Sequence, residues 1–331
     1  MRVSLIGTGV QTTRLGYGCA SLMGRLSKRE SRRILDVAFD GGIRHFDTAP
    51  LYGYGESEAL LGEFIKGRRD RLTVATKFGI QPPKRSVALA TAKSAARAVV
   101  TVFPGLRKQI RRHAEQLTQT GCFTASECTR SVHTSLRELR TDYIDIFLMH
   151  EITPAQITPE LVAALEAAKR KGLIRAYGTA TTSQNTISIR AQELPCGDIA
   201  QFPSSVFDNV LARLPNRNAA GIITHSSLGL SFKALTEELA SNSELRETWS
   251  RDLGFDCSDL RSVGALLLQA AMEENASGIV LFSSVNEQNI RRNAALLSDQ
   301  RYSDRQVQAA KWLVLDFLGR TTAIGAEMAP Q

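Results

Sequence analysis

The chain has 331 residues, 43% hydrophobic and 22% charged, which is ordinary for a globular protein and long enough for one large α/β domain or two average ones. Its net charge of +8 is confined to residues 81–113, where Lys84, Arg85, Lys93, Arg97, Arg107, Lys108, Arg111 and Arg112 stand without an acid, so a whole-surface nucleic-acid footprint is not expected. There is no apolar run of membrane-spanning length and no secretory h-region, and five cysteines without a C-x-x-C pair suit reduced thiols in a cytoplasm and no structural zinc.

In chain order, RVSLIGTGVQTTR alternates and turns on Gly7 and Gly9, which predicts a hairpin before a first strand at 15–20. Gly7-Thr8-Gly9 imitates a dinucleotide fingerprint, but Thr12 replaces the third glycine and no helix pattern follows, so it is set aside. Ser27-x-x-Glu30 is a capping box ahead of the stripe Ile34, Leu35, Ala38 and Phe39. Residues 43–46 read as a strand ending on Asp47, Ser57 as the cap of the next helix, and 72–76 as a strand ending on Lys77. The basic insertion interrupts the alternation until a helix near Ser126 and a strand at 143–149 ending on His150. Thr158-Pro159 opens a helix that Gly172 ends. Strands follow at 174–179, 198–202, 221–225 and 278–282, with helices over 182–191, around 263–272, over 286–297 and after the cap Ser303-x-x-Gln306. Eight strands alternating with helices, without a linker, predict one domain: a (β/α)8 TIM barrel with an N-terminal β-hairpin, a long basic insertion after strand 3 and a C-terminal helix.

In such a barrel, chemistry sits just past the C-terminal ends of the strands, where Asp47, Tyr52 and Lys77 fall. An ammonium beside a phenol favours phenolate, so Lys77 is expected to lower the pKa of Tyr52 while Asp47 orients the amine. The stretch Gly42 to Gly62, with Arg44, Asp47, Thr48, Ala49, Tyr52, Gly53, Glu56 and Leu61, resembles the signature of the aldo-keto reductases, and Asp142-Tyr143-x-Asp145 ending on His150 resembles a second motif of that family.

The resemblance implies an NAD(P)-dependent oxidoreductase acting on a small carbonyl or alcohol substrate, with Asp47, Tyr52, Lys77 and His150 as its catalytic tetrad. It further implies that Gln201 holds the nicotinamide carboxamide, His225 stacks on the ring, and Ser226, Leu228 and Gly229 line the pyrophosphate. Ser283, Ser284, Asn289 and Asn293 fall on the adenosine-phosphate segment, with Arg291 and Arg292 close by. NADP is the expected cofactor, with NAD as the alternative because an Arg is missing at position 289. The family's G-V-S-N clamp appears as Gly178-Thr179-Ala180-Thr181, leaving a water or Thr179 to stand in. That change keeps open a nucleotide-binding subunit of the same fold with little turnover. In the insertion, Val99, Phe103, Leu106 and Ile110 share one helical face, which suggests either a solvated basic helix or a lid that attracts an anionic substrate.

Overall fold

The computed structural model describes residues 1–24, 26–81, 120–298 and 301–327. The hairpin is formed by β1 (Arg2–Ser4) and β2 (Gln11–Thr13), with Val3 opposite Thr12. Gly7 and Gly9 turn it at φ +76° and +68°, so the G-x-G serves a chain reversal. Leu5 and Val10 beside that turn belong to the same buried cluster as Ile199, Ile223 and Ile279 inside the barrel, so the hairpin plugs one end.

The barrel strands are β3 (Leu15–Gly18), β4 (His45–Asp47), β5 (Thr73–Phe78), β6 (Ile144–His150), β7 (Ile174–Ala180), β8 (Ile199–Pro203), β9 (Gly221–His225) and β10 (Ile279–Phe282). They pair in parallel in sequence order, and β10 closes on β3, giving the expected (β/α)8 barrel. Small and branched residues (Ala75, Ile146, Leu148, Ala176) fill its interior, while Phe46, Phe64, Phe147 and Leu35 pack between strands and helices.

Outside lie α1 (Lys28–Asp40), with the capping box formed by Ser27 and Glu30, and α2 (Ser57–Ile65). Ser57 is not the cap of α2: Glu56 holds that position without a side-chain capping bond to the helix, and the Ser57 hydroxyl instead meets Thr48 Oγ1 at 2.9 Å. Next come α3 (Ala125–Leu139), α4 (Pro159–Arg170), capped by Thr158, and α5 (Ser183–Ala191), capped by Thr182. Between β9 and β10 the chain forms α6 (Ser231–Ser241), α7 (Ser243–Leu253) and α8 (Leu260–Glu274), of which the sequence pattern signals only α8. The first two are polar helices with narrow buried stripes, two leucines in α6 and Leu245, Trp249 and Leu253 in α7. Last are α9 (Glu287–Ala295) and α10 (Asp304–Glu327), the latter opened by reciprocal bonds between Ser303 and Gln306. Among the described residues no helix is long and apolar enough to cross a membrane.

Beyond β5, Gly79 takes φ +106°, and a Cβ there would lie 2.2 Å from the Phe123 ring. The Gly79 carbonyl accepts the Cys122 N–H at 3.1 Å, and Gln81 Nε2 donates to Glu127 Oε1 at 2.6 Å, so the chain leaves and re-enters the barrel at one joint. The basic segment, with its apolar stripe and the lid expected of it, falls on 82–119, outside the described residues.

Asp145 on β6 is fully buried, with its oxygens 2.7 Å from Arg69 Nη2 and 3.0 Å from Arg175 Nη1, and it accepts the Val74 N–H at 2.9 Å. Both guanidinium groups lie over the Tyr143 ring, 3.8 and 4.1 Å from its centre. Three neighbouring strands thus share one carboxylate. Asp145→Ala strands these charges and is expected to lower the unfolding free energy by about 3–5 kcal/mol in a urea titration.

Candidate active site

The strands set the site by register. Asp47 on β4 pairs with Ala75, so Lys77 stands two residues further along β5, while His150, Ala180 and Gln201 are successive partners across β6, β7 and β8. After β4 the chain turns tightly through Tyr52–Gly55, with Gly53 at φ +59°. A Cβ on Gly53 would sit 2.6 Å from Met23 Cβ and 2.9 Å from the Leu22 carbonyl, so only glycine lets this loop close and bring Tyr52 over Lys77.

Lys77 is 2% exposed, and its ammonium donates to Asp47 Oδ1 at 2.5 Å and to the Thr48 carbonyl at 2.9 Å. It lies 5.1 Å from the centre of the Tyr52 ring, close enough to act on the phenol. Gln201 Nε2 donates to the other Asp47 oxygen at 2.8 Å, which fixes the carboxylate from both sides. The Tyr52 and His150 rings meet edge to face with centres 6.1 Å apart. The four residues expected at the strand ends are thus brought together.

Burial alone disfavours the Lys77 ammonium, but Asp47 and Tyr52 outweigh it and raise its pKa, so it stays protonated. For Tyr52 the expected direction reverses. Burial raises the phenol pKa by more than Lys77 lowers it, because the ammonium charge is already offset by Asp47. The resting site therefore holds a neutral phenol. His150 is pushed down to about 3, by burial first and Lys77 second, and His225 to about 4 by burial, so both rings are neutral near pH 7.

These residues line a cleft of about 470 Å3 that runs from Tyr52 and His150 past Gln201, His225, Ser226, Leu228 and Gly229 to Ser283 and Asn293. Ser226 and Gly229 take left-handed backbone at φ +57° and +59°, curving this turn around the cleft. The cleft also exposes Ala180 of the altered clamp and groups that the sequence did not single out: Glu151, Ser227, and the apolar Leu268, Leu281 and Phe282. Glu151 and Ser227 were within reach, since each adjoins a residue singled out for the site. Ser227 is 4% exposed and its hydroxyl is buried without a partner, an orphan donor that suits a ligand oxygen.

Ser284 and Asn289 stand at the start of α9, outside the residues that line the cleft. Ser284 Oγ accepts the Asn286 N–H, and Asn289 Oδ1 is buried without a partner. Arg292 is committed to Asp259, 3.2 Å from both of its oxygens, whereas Arg291 is exposed and only 3.9 Å from Glu287. Thr179 does not stand in for the altered clamp: Ala180 faces the cleft, and the Thr181 hydroxyl donates to the Ile152 carbonyl at 2.9 Å. Among the described residues no group of His, Cys, Asp and Glu could hold a metal ion.

A closed parallel barrel carries its active site at the C-terminal ends of its strands, where Asp47, Tyr52, Lys77 and His150 stand. The model of the aldo/keto reductase family matches residues 14–313, and the chain belongs to that family. Aldo-keto reductase YhdN of Bacillus subtilis is 30% identical over 71% of this chain and 65% of its own length, and D-threo-aldose 1-dehydrogenase of a Pseudomonas species is 30% identical over 56% and 55%. The chain spans about two thirds or less of the length of these relatives, and 64% of a Glycine max aldo-keto reductase. A glycerol dehydrogenase from Gluconobacter oxydans shares the fold, with a TM-score of 0.68, 17% identity, and coverage of 95% of this chain and 94% of that one.

A third histidine, His45, lies inside the barrel, fully buried. Thr73 Oγ1 donates onward to Thr12 Oγ1 at 2.8 Å, so His45 Nδ1 donates to Thr73 at 2.9 Å and Nε2 is left unprotonated, without a partner. Burial pushes its pKa down to about 4, as for His225, with His150 lower still. Each folded value lies below the ordinary 6.5, so the unfolded chain takes up protons first. Stability is full above about pH 6.5 and falls as pH drops toward 4, by about 1.4 kcal/mol per unit for each histidine. Thermal scans from pH 7 to 4 should show this loss, with a shallower slope for His45→Gln.

Proposed function

We propose that the protein is an NAD(P)-dependent oxidoreductase that moves a hydride between a nicotinamide and a small carbonyl or alcohol substrate. The observation that carries this is the buried Lys77 ammonium, held by Asp47 and Thr48 against the Tyr52 ring and beside a neutral His150. The orphan Ser227 hydroxyl and the left-handed turn at Ser226 and Gly229 suit a dinucleotide laid along the cleft. When bound there, the nicotinamide supplies the hydride.

The residues of the chain then manage charge and protons. Negative charge develops on the carbonyl oxygen, and Tyr52, a neutral phenol, gives it a proton as general acid. As the phenolate forms, the Lys77 ammonium beside the ring offsets its charge, and Asp47 keeps that ammonium in place. Neutral His150 offers one N–H to the carbonyl oxygen and fixes its direction. In the oxidative direction the phenolate of Tyr52 is the base. Gln201 keeps its amide oxygen free for the carboxamide while its nitrogen holds Asp47.

NADP is the favoured cofactor: Ser283, Ser284, Asn289 and Asn293 would hold the 2′-phosphate, with the exposed Arg291 as the cation; NAD is the alternative, because Arg292 is tied to Asp259. One matched relative is named for an aldose, which supports an aldehyde, ketone or aldose substrate. Five unpaired cysteines suit a reducing cytoplasm.

Tyr52→Phe should lower kcat by about two to four orders of magnitude with cofactor affinity nearly unchanged. Near-normal reduction by that variant would remove Tyr52 from the chemistry, and no turnover by the wild type with any carbonyl would favour the binding-subunit alternative. Titration of cofactor binding provides a separate check: NADPH should bind more tightly than NADH at low ionic strength, with a gap that narrows as salt rises. Equal dissociation constants would mean that the phosphate site is absent.

A further inference from the structure

Glu151 immediately follows His150 and lines the cleft with it. Its backbone is left-handed, at φ +59°, a conformation that costs a residue with a Cβ about 1–2 kcal/mol. The surroundings impose this turn. The Glu151 N–H donates to the Ala180 carbonyl at 2.7 Å, and the next carbonyl, of Ile152, accepts Thr181 Oγ1 at 2.9 Å and Asn185 Nδ2 at 3.4 Å. Thr181, which departs from the family pattern, is therefore used to hold the turn that presents Glu151.

The carboxylate has no hydrogen-bond or ion-pair partner among the described residues, whereas Asp47, the other acid lining the cleft, is neutralised by Lys77. The residue beside it is the small Ala180, and Leu268, Leu281 and Phe282 supply the apolar lining of the same cleft. Glu151 is an exposed residue on the lining of the cleft, and the burial it does have pushes its carboxyl upward.

We propose that Glu151 selects the substrate, accepting hydrogen bonds from the hydroxyls of a neutral polyhydroxy carbonyl compound and turning away carboxylates. The proposal rests on the reductase reading and narrows it. It also runs against the anionic substrate suggested by the basic segment. Strain at a cleft residue whose acceptor is unused is the expected mark of a group held ready for a ligand.

Three four-carbon aldehydes separate the possibilities: erythrose carries hydroxyls, butanal nothing, and succinic semialdehyde a carboxylate. In the wild type kcat/KM should rank erythrose first and succinic semialdehyde last. Glu151→Gln should lower the erythrose-to-butanal ratio about tenfold, through KM, and raise the semialdehyde-to-butanal ratio by a similar factor. A carboxylate merely solvated at the lip would move neither ratio, and unchanged ratios overturn the proposal. If the wild type reduces none of the three, the reductase reading fails, and Glu151 is judged by binding alone. In saturation-transfer NMR the wild type should then bind sorbitol and not gluconate, and Glu151→Gln should bind both. Equal binding of the two by the wild type overturns the proposal.

Discussion

The ion pair between Lys77 and Asp47 is the constraint to which the mouth of the barrel answers. Both side chains are nearly excluded from water, and taking two charges out of water costs several kcal/mol per ion. That cost is met only by good geometry and by partners for the remaining protons and lone pairs. Every neighbour can be understood in those terms. Thr48 turns its carbonyl inward to take one proton, Gln201 reaches across the barrel to the second carboxylate oxygen, and the Tyr52 ring stands 5.1 Å from the ammonium. An apolar pair of similar size would stabilise the barrel equally well. The pair is better explained by what it does to a phenol than by what it adds to the fold.

Closure of the barrel makes the pair possible. Adjacent parallel strands hold Asp47 and Lys77 two residues out of register, and the Thr48 N–H bond to the Ala75 carbonyl at 2.8 Å keeps that offset fixed. Below the pair the interior stays polar for one layer, through His45, Thr73 and Thr12, before the hairpin closes the floor with Leu5 and Val10. Gly16 permits this layer: a Cβ there would lie 2.7 Å from the His45 ring and 2.6 Å from Leu281. The two ends of the barrel are thus unequal by construction, one filled by its own chain and one left open to a ligand.

What could be read from residues alone follows where the determining physics is local. Strand ends, the capping box at Ser27 and the Thr158-Pro159 start depend on neighbours a few residues away, and they fall where expected. The direction of the Tyr52 shift is not local. It depends on how deeply the Gly53 turn sinks the phenol, and desolvation has no signature in a string of residues. Ser57 was misjudged because its rival partner, Thr48, is set by the tertiary fold. Helices α6 and α7 escaped because their buried stripes are narrow and their surfaces polar. Glu151 adjoins His150 in the sequence, but its left-handed backbone and its unpaired carboxylate are seen only once the chain is folded.

The joint at Gly79 has a consequence for how such a chain can change over evolutionary time. The two ends meet through the Gly79–Cys122 bond and the Gln81–Glu127 bond, and Phe123 packs where any larger residue than glycine would stand. The two ends are therefore held together by contacts of the barrel's own residues. Doubling the length of an inserted loop adds only about 0.6 kcal/mol of closure cost, so selection can try long and short inserts there on an undisturbed catalytic frame. The same seam is a natural graft point for an engineer, who could exchange the whole segment between relatives without redrawing a single strand.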